Sequence, residues 1–135
     1  MAVTINATVQ KAGIEAVGAE FNSGLLRIYD GTPPASAKAS LGSNDVLAEV
    51  TLHTTAFGVA TDGTITAAET PLSDNDIAKS STATFFRILD SGGTTDIIQG
   101  TVGTEATDMI VDSVSFVKGG VFTLTSLTLT LPDGI

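Results

Sequence analysis

The sequence predicts an antiparallel all-β domain, a sandwich or barrel of about eight strands with very little helix. Three observations carry this. Apolar residues alternate with threonine from Val121 to Leu131, the period-two pattern of a strand with one buried and one wetted face. Shorter alternating runs recur through the chain, and glycine-rich or Asp-Gly turn signals separate them. Helix is scarce, and the longer of two weakly helical stretches, Lys11 to Phe21, contains Gly13 and Gly18.

Taken in order, Val3 to Val9 alternates as Val3, Ile5, Ala7 and Val9 and reads as a strand. Lys11 to Phe21 could hold a turn or two of helix. Residues 1–23 are thus expected as an N-terminal strand or arm that packs outside the main body or on a neighbouring subunit, with residues 24–135 forming a single β domain. Gly24 to Asp30 and Val46 to Leu52 are the next strands, with a helical turn expected over Ala35 to Leu41. Thr64 to Ala67 is short. Thr84 to Leu89 and Asp96 to Val102 read as a hairpin around Ser91-Gly92-Gly93. Asp108 to Val117 reads as one strand before the turn at Lys118-Gly119-Gly120. In the terminal run Phe122 and Leu124 are even-numbered, whereas Leu127, Leu129 and Leu131 are odd-numbered. A β-bulge at Thr125-Ser126 would return all of them to the core side.

Composition excludes several functions. The chain has 135 residues, enough for one self-sufficient core, and no cysteine, which removes disulfides and cysteine-based zinc sites. Fifteen acidic against six basic residues give a net charge of −9, and no basic stripe is present to neutralise phosphates, so no nucleic-acid partner is expected. Mean hydropathy is +0.33, yet no window approaches the ~18 apolar residues of a membrane span. The N-terminus lacks the basic and apolar regions of a secretory signal, so synthesis in a cytoplasm is expected.

Catalytic chemistry is thinly supplied. His53 is the single histidine and no Gly-x-Ser-x-Gly elbow accompanies it. Asp74-Asn75-Asp76 offers oxygen ligands without the glycine and closing glutamate of a calcium loop. The Gly92-Gly93 and Gly119-Gly120 pairs lack the strand-glycine-helix setting of phosphate loops. No cofactor, metal site or catalytic residue is expected, and the chain is read as a non-enzyme.

Two phrases echo one another: Leu25-Leu26-Arg27-Ile28-Tyr29-Asp30 and Phe85-Phe86-Arg87-Ile88-Leu89-Asp90. Either this is a chance likeness of two strands, or they are equivalent strands in the two halves of a sandwich. Leu25, Arg27 and Tyr29 share one strand face, as do Phe85, Arg87 and Leu89. Each face sets a guanidinium among apolar groups. Such an arginine can lay its stem on the sheet with its head in water, or it can sit in a subunit contact, where Arg and Tyr are enriched. These six residues are the candidate interface.

From Gly24 to Ala35, then Leu47 to Leu52, Thr55 to Gly58, Asp62 to Thr66 and Thr82 to Ile88, the strand-and-turn phrases resemble small virion proteins of tailed bacteriophages. In particular the chain resembles the jelly-roll cement, or decoration, proteins on the outside of the head, over about residues 24 to 131. The resemblance implies a jelly-roll β-sandwich with no catalytic residues. It implies a homodimer or homotrimer that binds the major capsid protein on the outer capsid surface. A tail or baseplate component is the alternative, and a carbohydrate-binding adhesion module a more distant one.

Overall fold

The computed structural model describes residues 6–61, 63–67, 72–124 and 127–130, with the side chain of residue 130 left aside. The chain is mostly β with one helix, in curled antiparallel and mixed sheets.

The helix is the first departure from expectation. Helix α1 spans Ala7–Ala19, so residues 7–9, expected in a strand, form its first turn; residues 3–5 lie outside the described residues. Asn6 caps it: its side-chain oxygen accepts a 2.8 Å bond from the Thr8 amide, satisfying one of the donors left over at a helix start. Gln10, Ile14 and Gly18 follow at four-residue spacing and form the buried face. Gly18, which weakens helix propensity, is the point of closest approach. A Cβ there would lie 2.8 Å from Ile65 Cδ1 and 3.3 Å from Phe57 Cβ. Glu15 adds a tie by accepting a 3.0 Å bond from the Ala60 amide. Residues 7–19 are therefore a helix lying on its own chain.

After the helix, Phe21 is fully buried against Phe57, with ring centres 5.6 Å apart. Gly24 then turns the chain into the sheet where a side chain has no room: a Cβ would sit 2.3 Å from the Leu89 carbonyl oxygen. Strands β1 (Leu25–Asp30), β2 (Val46–Thr51), β3 (Thr64–Thr66), β4 (Leu72–Asp74), β5 (Ser81–Leu89), β6 (Asp96–Gly103), β7 (Met109–Ile110), β8 (Ser115–Phe116), β9 (Phe122–Leu124) and β10 (Thr128–Thr130) follow. The main sheet runs β2-β1-β5-β6-β7, with β8 pairing the start of β5. All its pairs are antiparallel except β6 with β7. β3 pairs with β10 and β4 with β9 in two small ribbons.

The expected strands at Gly24–Asp30 and Val46–Leu52 and the hairpin after Thr84 are present. The Asp108–Val117 strand is not continuous. Met109 and Phe116 are buried, but a turn in which the Ser115 amide bonds Ser113 Oγ separates β7 from β8, and the two pair with different strands. The terminal run likewise divides: β9 pairs with β4 and β10 with β3, while the expected bulge at Thr125-Ser126 lies outside the described residues. Phe122, Leu124 and Leu127 are buried as expected, and Leu129 is only partly so. The core lies against one face of the main sheet, where Leu26, Ile28, Phe86 and Ile88 are sealed from solvent.

Candidate interaction surface

The two echoed phrases do not lie in separate halves of a sandwich. They are adjacent antiparallel partners. Leu25 stands opposite Leu89, Arg27 opposite Arg87 and Tyr29 opposite Phe85. The register brings all six candidate interface residues onto one face, opposite the core face.

That face is covered by its own chain. Tyr29, Phe85, Arg87 and Leu89 are each at most 3% exposed, so these four cannot form the open contact surface expected of them. Leu25 and Arg27 remain half-buried. The cover is the segment between β1 and β2, residues 31–45. Thr84 Oγ1 donates to the Gly31 carbonyl at 2.6 Å, Gln99 Nε2 to that of Pro34 at 2.7 Å, and Arg87 Nη2 to those of Ser36 and Ala39 at 3.1 and 2.7 Å. Beneath it the Tyr29 and Phe85 rings stack at 5.0 Å, 12° from parallel. The sequence showed a sticky face, but nothing local revealed that a loop would close over it.

The arginines are held in a polar row across four strands. Glu49 on β2 faces Arg27, Arg27 faces Arg87, and Arg87 faces Gln99 on β6. Two like charges side by side repel, and each is drawn toward its outer neighbour. Arg27 Nε donates to Glu49 Oε2 at 2.6 Å. Arg87 Nε donates to Gln99 Oε1 and Nη1 to Asp96 Oδ2, both at 2.9 Å. Burial works to lower the Arg27 pKa, but its bonds to Glu49 and Tyr29 outweigh this and hold it above its ordinary value. Burial pushes the Tyr29 phenol up, against the opposing pull of Arg27.

Asp30 fastens both ends of the covering segment. Its Oδ1 accepts the Asp45 amide at 2.8 Å and its Oδ2 the Ser81 hydroxyl at 2.9 Å, with Lys79 Nζ 3.5 Å away. Asn44 Nδ2 donates to the Asp30 and Thr32 carbonyls at 2.7 and 3.0 Å. Lys79 also pairs with Asp45. The Asp45 amide, then the Ser81 hydroxyl and Lys79, outweigh burial and hold the Asp30 carboxyl below the usual range.

The weaker chemical candidates serve the backbone. Exposed His53 accepts the Thr55 amide through Nδ1 at 3.1 Å. The Asp74 carboxylate accepts the Glu49 and Asp76 amides, each at 2.9 Å. Among the described residues no cluster of three or more His, Cys, Asp or Glu side chains is placed to hold a metal ion.

Two open features were not anticipated. A groove of about 260 Å³ has a mixed lining: Asp112, Ser113, Ser115 and Thr123 stand beside apolar residues, of which Ile110 is 63% and Val121 61% exposed, with Val117 at 62% in the adjoining turn. The signal for it was Val117 and Val121 flanking the Lys118-Gly119-Gly120 turn, which reads as hairpin punctuation. A second cleft, of about 480 Å³, opens between α1, β6 and β10. No protein-family model, curated protein or solved structure matches the chain.

Proposed function

We propose that this chain is a structural virion protein of a tailed bacteriophage: a cement protein that binds the outside of the head and stabilises contacts between major capsid subunits. The observation that carries the reading is the ordered series of strand-and-turn phrases over residues 24 to 131. In this reading the fold is a jelly-roll sandwich, and the protein acts as a homodimer or homotrimer on the outer capsid surface after synthesis in the host cytoplasm.

The physics of the chain supports this role. A cement protein must be stiff, and here the core packs on one face of the main sheet while a buried arginine ties a long loop over part of the other. It must associate without chemistry. Apolar side chains at Ile110 and Val121 stand exposed at one groove, with Val117 exposed in the adjoining turn, and exposed apolar side chains of this kind mark association surfaces. Its acidity keeps free copies soluble until a partner is met.

Counting copies per particle by quantitative mass spectrometry, together with labelled micrographs, tests the reading. Label over the head, in numbers proportional to the major capsid protein, is expected. A few copies confined to the tail or baseplate would overturn it in favour of a tail component.

A further inference from the structure

We propose that the outer edge of β6, with the apolar cleft beside it, receives an extended lysine- or arginine-bearing segment of a partner protein by strand addition. This mode of contact is independent of whether the partner sits on a virion head.

The two flanks of the main sheet differ. On β2 the outer edge is closed, since the Leu47 carbonyl accepts the Ala78 amide at 2.9 Å and the Glu49 amide donates to Asp74. On β6, β7 pairs only with Val102 and Gly103, and Asp108 Oδ2 takes the Thr101 amide at 2.9 Å. From Asp96 to Gly100 no strand among the described residues lies on that edge. Alternate residues of an antiparallel strand point their backbone groups the same way. The Thr101 amide points outward, so the N–H and C=O of Gln99 do too. The Gln99 side chain is pinned by Arg87 and the Pro34 carbonyl, which makes this edge a fixed template.

The cleft supplies the second element. Ile14 and Val17 of α1, Phe86, Ile98 and Leu129 line it. Gly100 lets the Phe86 ring lie against β6 as the cleft floor: a Cβ there would come 2.6 Å from that ring and 3.1 Å from Asp108 Cβ. In strand addition, main-chain bonds give affinity and pockets for alternate side chains give selectivity. An apolar residue of the guest would enter this cleft, and its neighbours in sequence would face outward.

Charge chooses the guest. Residues 96–117 include Asp96, Glu105, Asp108 and Asp112 and no lysine or arginine. Of these only Asp108 lines the cleft; its Oδ2 is bonded by the Thr101 amide and hydroxyl, but no lysine or arginine lines the cleft to offset its charge, whereas Asp96 is paired with Arg87. Attraction across such a rim steers cationic partners and repels anionic ones. A second copy does not meet the requirement. Arg27, Lys79 and Arg87 are already in ion pairs, Lys11 is in α1, and Lys38 and Lys118 lie in turns.

The test titrates the isotope-labelled full chain with a blocked octapeptide of alternating valine and lysine, following backbone amides by NMR. Saturable binding with exchange protection of the Gln99 amide is expected. Binding should weaken about tenfold or more for the valine–glutamate peptide. It should also weaken on raising salt from about 0.1 M to about 1 M, where the screening length falls from about 10 Å to about 3 Å. Val17→Glu, which sets a carboxylate in the cleft wall, should reduce affinity for an apolar guest side chain; if that variant fails to fold, the glutamate-peptide and salt arms decide alone. No binding at about 1 mM peptide, equal binding of the two peptides, or shifts confined to other surfaces would overturn the proposal. Protection of Gln99 by self-association of the free chain would overturn it in favour of a second copy.

Discussion

Replacing Arg87 with alanine removes a guanidinium that is 1% exposed and donates four hydrogen bonds: to Gln99, Asp96, Ser36 and Ala39. Two of these acceptors are carbonyls of the covering segment, and the variant leaves them facing a cavity instead of water. Breaking a buried ion pair by removing one partner costs ~3–5 kcal/mol. Against a total stability of ~5–15 kcal/mol, that is a large fraction. Arg27 stands directly opposite, yet its side chain is 27% exposed and its partner Glu49 43%, so an Arg27→Ala change should cost only ~0.2–1 kcal/mol. Lysine should not rescue position 87, because a single ammonium cannot reproduce the planar fork that reaches four acceptors. Urea denaturation at neutral pH reads this out as a fall in midpoint at constant slope. The melting temperature of Arg87→Ala should fall by roughly 10 °C or more. Equal destabilisation by the two alanine variants, or an Arg87→Ala loss below ~1 kcal/mol, would refute the assignment of Arg87 as the pin of the covering segment.

Other consequences are separable. Leu127→Ala should cost ~2–5 kcal/mol as a core truncation, and Leu129→Ala less, because Leu129 is only partly buried; a larger loss at Leu129 would contradict the packing. The Asp30 carboxyl is held below its ordinary value of 3.8, so its contribution to stability is complete above that value and is lost as pH falls through the lowered folded value. Urea midpoints of wild type and Asp30→Asn should therefore converge on acidification below that value, and parallel curves would count against the anchor. Tyr29 is the only tyrosine, so absorbance titration follows one phenol; burial predicts a midpoint above the ordinary 10.0, and a midpoint at or below it would show an open face.

Legibility in the sequence followed how local the determining contacts were. The β1 and β2 strands and the β5–β6 hairpin were readable because alternation and turn residues lie within a few positions of each other. Residues 7–9 read as strand because Ala7 and Val9 continue the alternation of Val3 and Ile5. The competing helical signals were an Asn6 cap and the Gln10, Ile14, Gly18 stripe, and Gly18 looked like a helix breaker until Ile65 and Phe57 explained it. The strand expected over 108–117 divides because β7 and β8 find different partners, a tertiary choice that overrides a continuous pattern, and β9 and β10 likewise pair with different strands. The echo of Leu25–Asp30 and Phe85–Asp90 was visible, and so was the shared face within each strand. Their mutual pairing, and the burial of that face under residues 31–45, depend on bonds spanning about 50 positions, such as the 48 between Arg87 and Ala39.

The cement role is tested most directly on virions. Particles with and without the protein, otherwise matched and with the protein verified on the head, are heated or osmotically shocked and the release of packaged DNA is measured. Particles lacking the protein are expected to lose their DNA at lower temperature and under milder shock, and adding back purified protein to restore resistance. Equal loss from both samples would contradict the cement role.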